Sequence, residues 1–238
     1  MFERPKHQHV ASLLGALDAD LLRARHCYFG GGTAIVLRHG EYRESADVDF
    51  LVSDIEAYRA LRRAVGASAG IDPLLIRPDA LSQIGDVRAD QYGIRAQLGV
   101  ADGIIKFEIV FEARIDLEEP AAADVVLGVT TLSRLDMAAS KLLANSDRWR
   151  DDGMFSRDLI DLAMLDLKPA AWQAAIQKAE SAYGAAIRSD LARAIDAIET
   201  REGWMDRCMQ QLSVTVPRAL LWQRLRRLRP AAPGPGSL

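Results

Sequence analysis

The chain has 238 residues, 49% of them hydrophobic and 26% charged, the make-up of an ordinary soluble protein with enough apolar surface for one large domain or two small ones. Thirty Lys and Arg against 33 Asp and Glu leave a net charge of −3, which excludes a whole-molecule pull on nucleic acid and confines any such contact to a local patch. No apolar run approaches the ~18 residues of a membrane span, and the start MFERPKHQHV lacks the apolar core of a signal peptide, so the cytoplasm is the expected location.

After a polar start, Val10, Leu13, Leu14 and Leu17 recur at helical spacing. His26 to Phe29 reads as a short strand running into glycines, followed by a helix over Thr33 to Arg38. Ala46 to Val52 alternates carboxylates with Val48 and Phe50, a strand with one apolar and one polar face. Asp54 is placed to cap a helix running to about Val65. Gly93 to Val100 and Ile104 to Glu112 alternate around the turn Ala101-Asp102-Gly103, which predicts a hairpin. Strands stop near Val129. From there the pattern is helical: Ser133 to about Asn145, Ser156 to Asp166, Pro169 to Tyr183, Ala185 to Ile198 and Pro217 to about Leu228. The expected organisation is therefore an α/β part at 1–130, a helical region at 131–229, and a disordered tail, PAAPGPGSL, at 230–238. Cys27 and Cys208 stand far apart in no metal-ligand spacing, which argues for a reducing compartment and two buried thiols.

The stretch FGGGTAIVLRHGEYRESADVDF, residues 29–50, carries the chemistry. Asp47 and Asp49 are spaced i,i+2, which points both to one face of a strand. A glycine turn ahead of them can bring backbone N–H groups close to phosphate oxygens. The glycines match neither rival loop: a dinucleotide fingerprint wants a third glycine where Ile35 stands, and an ATPase phosphate loop wants Gly-Lys-Ser/Thr. Two bound metal ions need further oxygen ligands from a neighbouring strand. IIKFEIVFE offers one, with Ile105, Phe107, Ile109 and Phe111 toward the core and Lys106, Glu108, Val110 and Glu112 opposite. Glu108 is central on that face, and Glu112 is the weaker candidate.

These residues resemble the DNA polymerase β-like nucleotidyltransferases, and within them the AbiEii/AbiGii toxin group. The superfamily pattern of two glycines, a helix, Asp-x-Asp on the next strand and a later acid falls on Gly31, Gly32, Asp47, Asp49 and Glu108. The toxin-group pattern lies in GGTA, in Arg43, Ser45, Asp47, Asp49 and Phe50, in the KLLA of Lys141, and in RDLIDL with Arg157, Asp158 and Asp161. The resemblance implies an α+β fold, a small mixed sheet with flanking helices followed by a helical half. It further implies a nucleoside triphosphate with its phosphates over Gly31, Gly32 and Thr33, and Mg2+ or Mn2+ on Asp47, Asp49 and Glu108. Arg43, Ser45, Lys141, Arg157, Asp158 and Asp161 are the remaining expected nucleotide-binding residues. An acceptor hydroxyl, such as that of a tRNA 3′ end, would attack the α-phosphorus and release pyrophosphate, with Glu108 able to help take the proton. A cognate antitoxin is implied as a partner, and no membrane.

Plainer readings stand beside these. Lys141 lies next to the stripe of Leu132, Leu135, Ala139 and Leu142 and can be a solvated lysine. Asp158 can serve the helix dipole behind a Ser156 cap, and Ser45 can brace the loop. Asp161 sits among apolar neighbours and needs a partner, Arg157 or Lys141, unless it is catalytic. His7 and His9, a His-x-His with no third ligand, are expected to be solvent-exposed. The last helix gathers Arg218, Arg224, Arg226, Arg227 and Arg229 around leucines, either a solvated face or a phosphate-binding edge for RNA. Rival functions are a small-molecule adenylyltransferase of the antibiotic-modifying type and a catalytically silent binding module of the same fold.

Overall fold

The computed structural model describes residues 2–229; the expected tail at 230–238 lies outside the described residues. The chain divides into two compact units, Met1–Met137 and Ala138–Leu238, and each is described by itself. The fold is α+β.

The first unit opens with α1 (Pro5–Leu14) and α2 (Ala19–Ala24), the second capped by Asp18, whose carboxylate accepts from the Leu21 N–H. β1 (Tyr28–Gly30) runs directly into α3 (Gly31–Arg38), and β2 (Val48–Val52) is followed by α4 (Ile55–Ser68). Asp54 caps α4 through the Ala57 N–H at 2.6 Å, as its position predicts. Next come β3 (Ser82–Ala89), β4 (Gly93–Val100) and β5 (Gly103–Phe111), then a small hairpin of β6 (Val125–Val126) and β7 (Val129–Thr130). The main sheet has the order β1-β2-β5-β4-β3. β2 and β5 are parallel, and the other pairs are antiparallel, so the sheet is mixed.

Alternation gives this sheet two different faces. On one, Phe29, Phe50 and Phe107 are fully buried in an aromatic row, with ring centroids 5.5 and 5.9 Å apart. On the other, strand pairing puts four residues in one rung: Gly30 pairs with Asp49, Asp49 with Glu108, and Glu108 with Arg95. The far end of α3 is tied down by Arg38, which donates to Asp124 and to the Thr131 hydroxyl, each at 2.8 Å.

The helix α5 (Arg134–Arg148) begins before Met137 and continues into the second unit. That unit adds α6 (Arg157–Leu165), α7 (Pro169–Tyr183), α8 (Ala186–Thr200), α9 (Trp204–Gln211) and α10 (Arg218–Arg227). Its core is built from Leu159, Leu162, Ile176, Leu191, Ile195, Leu221 and Leu225. Both cysteines are buried. Burial pushes the Cys208 thiol up to about 11 and Cys27 higher, so neither is a thiolate at neutral pH.

Candidate active site

Asp49 sits at the centre of the polar rung because β2 pairs antiparallel with β1 on one side and parallel with β5 on the other. The chain then turns sharply from β1 into α3 at Gly31, whose φ of +67° is a left-handed value. A Cβ at Gly31 would lie 2.5 Å from Asp49 Oδ2, so the glycine backbone rests against the carboxylate. Gly31 and Gly32 stay half-buried at the start of α3, where the first N–H groups and the helix dipole favour an anion. Asp47 is exposed and stands one residue before β2, so of the expected pair only Asp49 lies on the strand itself.

Glu108 is not free on its face. It accepts from Arg95 Nε at 3.0 Å and lies 3.0 Å from Lys106 Nζ, with its side chain 15% exposed. Glu112, the weaker candidate, is buried and committed to Arg114, whose Nη2 lies 2.7 Å away. Carboxylate oxygens at Asp47, Asp49 and Glu108 are the donor type that Mg2+ and Mn2+ take. Among the described residues, however, no three His, Cys, Asp or Glu side chains converge on a point that could hold a metal ion. Glu108, next to Asp49 in the rung, is held by two cations, Arg95 and Lys106.

The loop leading to Asp47 is braced from behind. Thr33 Oγ1 and Ser45 Oγ are 2.8 Å apart, which joins the first turn of α3 to the loop. The Ser45 N–H donates to His7 Nε2 at 3.3 Å, and His7 Nδ1 lies 2.7 Å from Glu41 Oε1. An acceptor at Nε2 leaves the ring proton on Nδ1, donated to Glu41. His7 is thus fully buried, against the expectation of exposure, because both ring nitrogens are satisfied inside. His9 is partly covered, with Nε2 3.0 Å from Asp102. Arg43 is 3% exposed and donates to the Glu44 carbonyl at 2.8 Å, so it holds the loop from inside.

The second group of expected residues lies in the second unit. Lys141 is buried, with its Nζ 2.8 Å from Asp158 and 2.7 Å from Asp161, and Arg148 adds a fork to Asp158 at 2.7 and 3.0 Å. The solvated-lysine reading is overturned, and the partner of Asp161 is Lys141. Asp158 does more than favour a helix dipole. Its burial would raise its pKa, yet Lys141 and Arg148 outweigh that and hold the carboxyl well below the usual range. Ser156 does not cap α6: it has φ of +51°, makes no side-chain cap bond, and its Oγ accepts from Trp204 Nε1 at 3.1 Å. Arg157 is half-buried and makes no ion pair among the described residues.

Sequence reasoning missed Arg95, Arg148 and the burial of His7, and put Lys106 on the face of Glu108 without pairing the two. Arg95 was countable: the turn pairs Val100 with Gly103, and five steps back along each strand set Arg95 opposite Glu108. Arg148 lies one turn beyond the expected end of its helix.

The sheet sets a carboxylate rung beside a glycine-started helix, and comparison with known proteins supplies the class. Over 95% of this chain and 96% of the other, the fold matches the crystal structure of a proposed nucleotidyltransferase from H. pylori, with TM-score 0.52 and 15% identity. A second match is JHP933 from Helicobacter pylori, 16% identical over 96% of this chain and 95% of that one, with TM-score 0.45. Among curated proteins nothing matches. The model of one family, described as the nucleotidyl transferase AbiEii toxin of type IV toxin–antitoxin systems, matches residues 13–226. The chain belongs to this AbiEii family and is a nucleotidyltransferase.

Proposed function

We propose that the protein transfers a nucleoside monophosphate from a nucleoside triphosphate to an acceptor hydroxyl, with the tRNA 3′ end as the acceptor. The observation that carries this reading is the rung of Asp49 and Glu108 with the Gly31 backbone packed against Asp49. The triphosphate lies over Gly31, Gly32 and Thr33, where backbone N–H groups and the α3 dipole meet its charge. Asp47 and Asp49 would hold Mg2+ or Mn2+, with Glu108 beside them; a divalent ion there would supply charge neutralisation for the phosphates. The acceptor oxygen loses its proton to water and forms a new bond to the α-phosphorus, the α–β anhydride breaks, and pyrophosphate leaves with the electron pair. Thr33, Ser45, His7 and Arg43 keep the loop before Asp47 in place.

Among the residues expected of the second unit, Arg157, whose nucleotide-binding role rests on the family resemblance, makes no ion pair among the described residues. Lys141, Asp158 and Asp161 position the helices that carry it. A cognate antitoxin is the partner that the family description supports. In this reading the residues of the first unit perform the transfer.

The test is incubation of the protein with each α-labelled nucleoside triphosphate, Mg2+, and separately total RNA, protein extract or small hydroxyl compounds. Label entering RNA with release of pyrophosphate is the expected result. Label only in small molecules would move the acceptor to the adenylyltransferase class, and no transfer with any combination would remove the activity itself.

A further inference from the structure

The second unit contains a cavity of about 600 Å3 that no part of the proposed reaction uses, walled by residues of α6, α7 and α10 and the segments beside them. Asp166, Lys168, Trp172, Arg224, Arg227 and Leu228 line it. Three of these are cations against one carboxylate, in a protein whose net charge is −3. Asp166 does not exhaust them. Its oxygens lie 3.4 Å from Arg224 and 3.5 Å from Arg227, longer than the ~2.8 Å of a charge-assisted hydrogen bond. Arg224 Nη1 has only the Met164 sulfur at 3.3 Å, a weak acceptor. Lys168 makes no ion pair among the described residues. It stands at the N-cap of the 15-residue α7, where no side chain caps the first turn. The indole of Trp172 is 6% exposed, and its Nε1 has no acceptor. The wall thus combines unspent donors with an aromatic and aliphatic surface, the pairing that a nucleotide presents in reverse.

We propose that this cavity is a nucleotide-binding site separate from the glycine turn, taking a phosphate on Arg224, Arg227 and Lys168 and a base against Trp172 and Leu228. The shared chemistry is a phosphate-bearing nucleotide, whether free or as one unit of an RNA strand. The site does not depend on the assignment of Asp47 and Asp49.

Titration calorimetry on the full chain in EDTA, with AMP and with a single-stranded RNA pentamer as probes, tests it without metal-dependent binding elsewhere. At least one probe should bind, and binding should weaken tenfold or more in Lys168→Gln/Arg227→Gln, whose side chains are exposed enough to leave the fold intact by melting temperature. Arg23→Gln, at an exposed cation of the first unit, should bind within twofold of the parent. AMP binding identifies a free nucleotide as the source, and binding of the pentamer alone identifies a strand. No binding of either probe up to about 1 mM, or binding indifferent to the double substitution, overturns the proposal.

Discussion

At Gly31 the backbone takes a left-handed φ of +67°, and the space for a Cβ is filled by Asp49 Oδ2. Gly31→Ala should therefore lose about 1–2 kcal/mol from the left-handed backbone alone and displace Asp49 as well. The expected outcome is a lower melting temperature together with at least a tenfold drop in transfer rate. Asp158 gives a pH signature. Its carboxyl is held below the usual range in the folded state, so its stabilisation is fully present above the unfolded value of about 4 and is lost as pH falls through the folded one. Asp158→Asn should destabilise the protein by about 3 kcal/mol at neutral pH and flatten its acid unfolding limb, read from denaturant midpoints between pH 7 and 2. Spacing put Asp49 and Glu108 on neighbouring strands, where they pair, and put Asp47 on the strand that begins one residue after it. The surroundings of His7 and Lys141 were not legible in the sequence, because their partners Glu41, Asp158 and Asp161 are supplied by loop and helix packing that periodicity does not encode.

At the scale of elements, α3, β2, α4, the β4–β5 hairpin and α7 follow directly from glycine, cap and alternation signals. β3 was missed for a physical reason: Ser82–Ala89 is an edge strand, largely exposed, with a register shift between Ile84 and Arg88, so it has no apolar alternation to read. The short α2 and α9 also escaped, the latter because its start at Trp204 follows Gly203 in a left-handed conformation rather than a Ser, Thr or Asp cap. α4 offers two opposed tests. Asp54→Ala removes the acceptor for the Ala57 N–H and should cost about 1 kcal/mol. Gly66 lies in the last turn of α4 with open space where a Cβ would be, and Gly66→Ala should stabilise by about 0.5 kcal/mol. Chemical denaturation of both variants checks the pair.

For the whole molecule, the arginines of α10 show how far composition misleads. Arg218 pairs with Asp206, Arg226 with Glu199, and Arg229 with Asp196 and Glu199. All five thus have an acid within their own unit, Arg224 and Arg227 sharing Asp166 alone, and Arg224, Arg227 and Arg229 border the cavity. No helix among the described residues is long and apolar enough to cross a membrane. Family membership states that the chain is a nucleotidyltransferase, and the rung at Asp49 is the place we propose for that activity. The most direct measurement is the rate of label transfer from an α-labelled nucleoside triphosphate, with Mg2+ and RNA, by the parent, Asp47→Asn and Asp49→Asn proteins at matched folded concentration. A loss of roughly a hundredfold or more in each variant, equivalent to about 2.7 kcal/mol in the barrier, is predicted, whereas rates within tenfold of the parent would contradict the assignment of these two carboxylates.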